Sequence, residues 1–216
     1  MGEYRPGILL STIERTVVTS AEEKIKKITS YFQSISNISL SDLSVIDKIF
    51  YSFTVKKNEF FIKAGENPDK FGLIISGIFR YFYIDNDGKE YTKYFALEDD
   101  LLISYSAILL GEVSRFYIEA LENSEILISS FKTFNELTEN NLSWNKIARK
   151  LTEQQYIKKE IREYQFLFDD AETRYLQFLK EYPDLIERVK HYHIASYLGI
   201  TPVTLSRIRK KLNLLT

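Results

Sequence analysis

The run His191-Tyr-His-Ile-Ala-Ser-Tyr-Leu-Gly-Ile-Thr-Pro-Val-Thr-Leu-Ser-Arg-Ile-Arg-Lys210 limits the possible folds of this chain more than any other stretch. Ala195 is small where two helices must cross closely. Gly199 follows four residues later, where a tight interhelical turn needs a positive φ. Ile194, Leu198, Ile200, Leu205 and Ile208 are spaced to fill the wedge between the helices. Thr201 is placed to cap the second helix, and Pro202 suits its first position, where an N–H would have no helical partner. The pattern predicts a helix-turn-helix whose second helix, 202–212, fits a DNA major groove.

Charge agrees with that placement. The chain carries −1 overall, yet Arg188, Lys190, Arg207, Arg209, Lys210 and Lys211 are followed and separated by no acidic residue, so the chain before Arg188 carries −7. An acidic body with a basic end directs a polyanion to that end.

The rest of the 216 residues divides by period. Residues 1–20 form an extension to which no function is assigned. Helical patterns occupy 21–50. They begin at a capping box, Ser20-Ala-Glu-Glu, and continue through a short helix from Ser39 with Leu43, Ile46 and Phe50 on one face. From Tyr51 the pattern turns to aromatic and β-branched strands. Asp85-Asn-Asp-Gly88 forms a hairpin turn, and further strands fall near 115–121 and 125–131. Short strands with frequent turns predict an antiparallel barrel or roll. After Asn140 a stripe of Trp144, Ile147, Leu151, Gln154, Ile157 or Lys158, Ile161, Tyr164 or Gln165 and Phe168 runs without internal Gly or Pro. A helix of roughly 27 residues spans about 40 Å, more than a small barrel covers, so Trp144, Ile147, Leu151 and Ile161 are expected to pair with a second copy. The domains are accordingly 1–20, an extension; 21–140, a roll with flanking helices; 141–168, a long dimerisation helix; and 169–216, a DNA-binding unit. The fold class is α+β.

Several functions are excluded or disfavoured. The chain has no cysteine, which removes iron–sulfur clusters, thiolate-bound haem and cysteine nucleophiles. No histidine precedes His191, so a metalloenzyme roll lacks its ligands. His191 and His193 share a face only on a strand, and two ligands without a carboxylate make a poor metal site. No enzyme, metal or cofactor is expected. The start lacks a signal peptide's apolar segment, and no run is long enough to span a membrane. A cytoplasmic location is expected.

The order of helix pair, roll, long helix and helix-turn-helix resembles the Crp/Fnr family of bacterial transcription regulators over about 21–216. The stretches that carry the resemblance are Ala64-Gly-Glu66, Leu73-Ile-Ile-Ser-Gly77, Asp85-Asn-Asp-Gly-Lys-Glu90 and His193 to Leu212. Phrases such as Ile-Ala-Ser-Tyr-Leu-Gly-Ile-Thr-Pro look like the Bacteroidetes branch. The resemblance implies a cyclic-nucleotide-binding-domain-like roll (a double-stranded β-helix). It also implies a homodimer on a two-fold symmetric DNA operator, with RNA polymerase as a further partner.

The effector site departs from the family pattern. Members that bind cyclic AMP carry Gly-Glu and then Arg-Ser or Arg-Thr, the Arg pairing with the cyclic phosphate. Here those positions hold Ile103-Ser104 and Ser114-Arg115, while Gly111-Glu112 falls too late. Turning Arg115 inward would need a one-residue slip of its strand, which reverses faces. Cyclic AMP is not expected to bind. The alternative input is an unidentified small ligand near Tyr94, Tyr105 and Arg115, beside the plain reading that these side chains fill the roll.

For DNA, the resemblance places Pro202, Val203 and Arg207 toward base edges, and Ser206 shares the outward face. Arg207 can pair bidentately with guanine. Val203 stands where an acidic residue is common. Thr201, Thr204, Arg209, Lys210 and Lys211 are the phosphate candidates. With four residues after Leu212, any backbone clamp is expected from Arg188–His193. The rival readings are a regulatory module that docks to a protein through its terminal helices, and a true cyclic-nucleotide-responsive regulator.

Overall fold

The computed structural model describes residues 21–213. The extension at 1–20 and the capping residue Ser20 lie outside the described residues. Helix α1 (Ala21–Ile35) is followed by two single turns, α2 (Leu40–Leu43) and α3 (Ile46–Ile49), where the sequence predicts one short helix. Leu43, Ile46 and Phe50 are nevertheless all buried.

Eight strands then form two four-stranded antiparallel sheets. They are β1 (Tyr51–Val55), β2 (Phe60–Ile62), β3 (Lys70–Ser76), β4 (Phe79–Ile84), β5 (Glu90–Ala96), β6 (Leu101–Leu102), β7 (Tyr117–Ala120) and β8 (Ser124–Ser130). The first sheet runs β1-β8-β3-β6 and the second β2-β7-β4-β5. Ile74, Ile126 and Ile128 of the first sheet meet Phe79, Tyr81, Ile118 and Ala120 of the second in the roll's interior.

Both sheets are also covered on their outer faces. Phe71, Leu73, Ile75 and Leu127 of the first pack against α1 and the helices that follow the roll. These are α5 (Phe131–Asn140) and α6 (Leu142–Phe168). On the second sheet Phe95 lies beneath the C-terminal helices: α7 (Ala171–Glu181), α8 (Leu185–Arg188), α9 (His191–Leu198) and α10 (Pro202–Lys211). Burial on two sides explains why Phe71–Ile75 reads as a continuous apolar run rather than an alternating one.

A bulge sets the outer face of the second sheet. Tyr81 pairs with Tyr94 but Phe82 pairs with Thr92, leaving Lys93 as the extra residue. The extra residue reverses facing, so Thr92 and Phe95, three apart, lie on one side with Arg80. Another local feature is Gly77 at φ +113. A Cβ there would lie 2.1 Å from Ser124 Oγ, so the Ser76-Gly77 turn admits no side chain.

Helix α6 is the expected 27 residues. Asn141 caps it, accepting from the amides of Ser143 and Trp144. The first half of its stripe does not face outward as expected for a dimer helix. Trp144, Ile147 and Leu151 are buried in this chain's own core. The Trp144 ring sits edge-on to Phe32, 4.9 Å between centroids, and its indole N–H donates to the Asp42 carbonyl at 3.0 Å. Ile161, by contrast, is 42% exposed, in line with exposed Ile157, Tyr164 and Phe168. The division follows from helix geometry: positions spaced every 3.5 residues drift around a helix of 3.6 residues per turn, so one stripe serves two directions.

Candidate nucleic-acid interface

Helices α9 and α10 meet as their sequence requires. Gly199 ends α9 at φ +69, and the Ile200 amide donates back to the Ala195 carbonyl at 3.0 Å. Ile194, Ala195, Leu198 and Leu205 are at most 2% exposed and fill the crossing. Thr201 caps α10, its hydroxyl accepting from the Thr204 amide at 3.1 Å, with Pro202 in the first turn.

With one face of α10 committed to that core, the other is open. Val203 is 60% exposed, and Ser206, Arg207 and Lys210 also face solvent. Lys190 and Tyr192, before and in α9, are exposed as well. The remaining phosphate candidates are differently engaged. Thr204 is half-buried, and its hydroxyl lies 2.9 Å from that of Thr201. Arg209 lies 3.0 Å from the His191 ring, and Lys211 pairs with Glu172 at 2.6 Å.

The expected clamp at 188–193 is corrected on two counts. Arg188 turns toward the roll, where it bridges Glu98 at 3.0 Å and Glu122 at 2.5 Å. His193 is buried against the second sheet, its pKa pushed down to about 3 by burial and by the nearby charges of Arg80 and Lys190. Neither is presented to a nucleic acid. The two histidines lie on a helix, where a two-residue offset separates their faces. Among the described residues no three metal-ligating side chains come together.

The joint between α9 and the roll was not legible in the sequence. Ser196 accepts from the Thr92 amide at 2.9 Å and donates to the Glu90 carbonyl at 3.1 Å. Beside it Arg80, 2% exposed, pairs with Glu90 at 2.6 Å and Glu119 at 3.0 Å and stacks on Phe82. Tyr197 packs on Phe95.

The three effector candidates are not brought together. Tyr94 lies edge-on to Tyr81 and meets Lys158 of α6 at 3.1 Å. Tyr105 belongs to a helix the strand-rich pattern did not suggest, α4 (Tyr105–Leu110), and packs on Phe131. Arg115 is 76% exposed and bound to Glu112 at 2.8 Å. An open surface cleft of about 350 Å³ runs along Phe61, Ile62 and the loop from Glu66 to Lys70, and none of the three lines it.

The stretch from Ile103 to Phe116, where the family pattern expects its anion-binding residues, is closed by its own side chains. Ser104 and Ser114 are both buried, and the Ser104 hydroxyl donates to that of Ser114 at 3.0 Å. Tyr81 fills the space beneath, its hydroxyl donating to the Leu101 carbonyl and accepting from the Ile103 amide, each at 3.0 Å.

Residues 52–141 match the cyclic nucleotide-binding domain family. The match covers the roll and α5, but not α7–α10. No curated protein sequence matches the chain. Solved structures do. FixK2 from Bradyrhizobium japonicum is 21% identical at a TM-score of 0.65, over 76% of this chain and 85% of its own. A protein from Eubacterium rectale described as a transcriptional regulator of the Crp/Fnr family is 16% identical at 0.67, over 86% and 88%. The c-di-GMP-responsive global regulator CLP of Xanthomonas campestris is 14% identical at 0.65, over 81% and 92%. The fold is thus a cyclic-nucleotide-binding-type roll with a helical C-terminal region, shared with Crp/Fnr-family regulators. Among the described residues no helix is long and apolar enough to cross a membrane.

The side chains of this roll do not fit a cyclic nucleotide. A cyclic phosphate needs a buried cation and donors. Arg115 points to solvent, and Arg80, the one buried arginine among the described residues, is neutralised by two carboxylates on the outer face of the sheet.

Proposed function

We propose that the chain is a homodimeric, sequence-specific DNA-binding transcription regulator of the Crp/Fnr type that does not respond to cyclic AMP. The observation that carries this reading is the division of α10. Leu205 and Ile208 lock one face into the crossing with α9, while Val203, Ser206, Arg207 and Lys210 are presented together on the other. A rigid, capped helix with such a face lies in a major groove as a helix-turn-helix recognition helix. Arg207 reads guanine, Val203 and Ser206 contact neighbouring bases, and Thr201, Thr204 and Lys210 meet phosphates, with Arg209 and Lys211 joining once released from His191 and Glu172.

Pairing is supported by the second half of the α6 stripe. Ile157, Ile161, Tyr164 and Phe168 recur at intervals of four, three and four and are 38–73% exposed. A contiguous apolar strip of this kind is costly to leave in water. Two chains joined there place their recognition helices about one duplex turn apart, ~34 Å, on a two-fold symmetric site. RNA polymerase is a further partner of such a regulator, and the work is done in the cytoplasm, where the DNA is.

The test is a selection of bound duplexes from a random pool, followed by salt titration of binding with and without cyclic AMP. A symmetric selected site, bound with steep salt dependence and unchanged by cyclic AMP, is expected. Absence of any selected sequence refutes the regulator, and a large gain with cyclic AMP refutes the closed roll.

A further inference from the structure

The turn between α9 and α10 is gripped by α6, and the grip is built from two arginines around one ring. Arg162 donates from Nη2 to the Tyr197 carbonyl at 2.6 Å, while its guanidinium stacks 3.7 Å from the Tyr197 ring and 4.7 Å from that of Phe166. From the other side Arg174 donates to the Leu198 carbonyl at 3.1 Å and approaches the Phe166 ring to 5.2 Å. Both carbonyls belong to the last turn of α9, where acceptors lack helical partners and cations are favoured. Phe166 completes the fit, since a Cβ on Gly199 would lie 2.7 Å from its Cε1.

Placement along α6 gives the grip a function. Lys158, Arg162 and Phe166 are spaced by four and share a face, and Lys158 ties that face to Asp100 of the roll at 2.9 Å. Ile157, Ile161 and Tyr164 are centred roughly 130° around the same helix. The residue that holds the turn and a residue of the exposed stripe are therefore chain neighbours, Arg162 and Ile161, on one rigid rod.

We propose that Arg162, backed by Phe166, is a positioning residue for DNA reading, fixing the recognition helix at a set angle to the helix that pairs two chains. The proposal rests on the regulator reading above. It assigns to α6 the choice of half-site spacing, which no side chain on α10 can make alone.

The absence of native cysteine allows a direct test. Nitroxides are placed at Thr152→Cys on α6 and Val203→Cys on α10. The intrachain distance distribution is measured by pulsed electron resonance in labelled chains diluted with unlabelled ones. Binding to the selected operator, and to versions with one base pair added or removed between half-sites, is measured on unlabelled protein. Arg162→Gln broadens the distribution and lowers operator affinity about tenfold, with little loss on single half-sites. Arg162→Lys, which keeps the charge but not the planar stack, falls between. An unchanged distribution overturns the proposal, as does equal loss on operator and half-site. If the unaltered chain selects no operator, the regulator reading fails, and the role in reading DNA falls with it. The distance distribution then reports only whether Arg162 orients the helix.

Discussion

The Ser196 hydroxyl accepts from the Thr92 amide at 2.9 Å, so a side chain of α9 supplies a hydrogen bond that a missing neighbour strand would otherwise have made. The residues are 104 apart in sequence. They join the cyclic-nucleotide-binding-type roll to the helical pair α9–α10, for which DNA reading is proposed.

Ser196→Ala leaves the Thr92 amide without that acceptor. Stability is expected to fall by about 1–2 kcal/mol, the cost of an unsatisfied part-buried donor. Amide exchange at Thr92 should accelerate well ahead of that in β3. Uniform acceleration across both sheets would contradict a local joint.

Gly199→Ala introduces a Cβ at φ +69, 2.7 Å from Phe166. Strain in the backbone and the clash together should cost on the order of 1–3 kcal/mol. The loss is expected to shrink when Phe166→Leu clears the space, leaving only the backbone part. A thermal-melt double-mutant cycle measures this, and strict additivity would show that ring and turn do not press on each other.

The two halves of α6 should answer differently to substitution. Trp144→Ala removes a fully buried ring and is expected to cost about 3–5 kcal/mol of folding stability. Ile161→Glu should leave circular dichroism intact and yield monomers in sedimentation. A dimer that survives Ile161→Glu would place the pairing surface elsewhere.

Arg207→Ala should lose about 1–3 kcal/mol of discrimination at one base position while keeping the salt slope nearly constant. Lys210→Ala should reduce the slope by roughly one unit and leave sequence preference alone. Competition titrations at several salt concentrations separate the two effects.

Burial beside Arg80 and Lys190 holds the His193 pKa at about 3, below the 6.5 of an unfolded chain. The neutral ring is the form the fold accepts. Its contribution to stability is complete above the unfolded value and is lost as pH falls from there toward 3, by at most ~1.4 kcal/mol per pH unit. Urea melts between pH about 7 and about 5 should show this slope, and His193→Gln should flatten it.

What the sequence disclosed and what it concealed divide along physical lines. Gly199, Thr201 and Pro202 each answer a local backbone requirement, so the helical pair was readable from neighbouring residues alone. The strands were readable as strands, but Arg80, Thr92 and Phe95 gave no sign of lying beneath α9, because burial on the second face depends on contacts a hundred residues away. Helix α4 was hidden because its six residues are too few for a period. The α6 stripe was visible but ambiguous: the spacing that suits a coiled coil also brings Trp144, Ile147 and Leu151 onto this chain's own helices. The grip of Arg162 and Arg174 left no pattern, since both bond to carbonyls, which every residue possesses.

Strand β5 is the last strand of its sheet, and α9 lies along it as a cover. An open strand edge invites pairing with another chain. Swinging the C-terminal helices clear of the roll would therefore expose the backbone from Glu90 to Ala96 as a template for self-association. The range of motion open to the C-terminal helices is thus bounded by solubility as well as by their contacts: small tilts keep the edge hidden, and a wide swing requires another surface to take the place of α9.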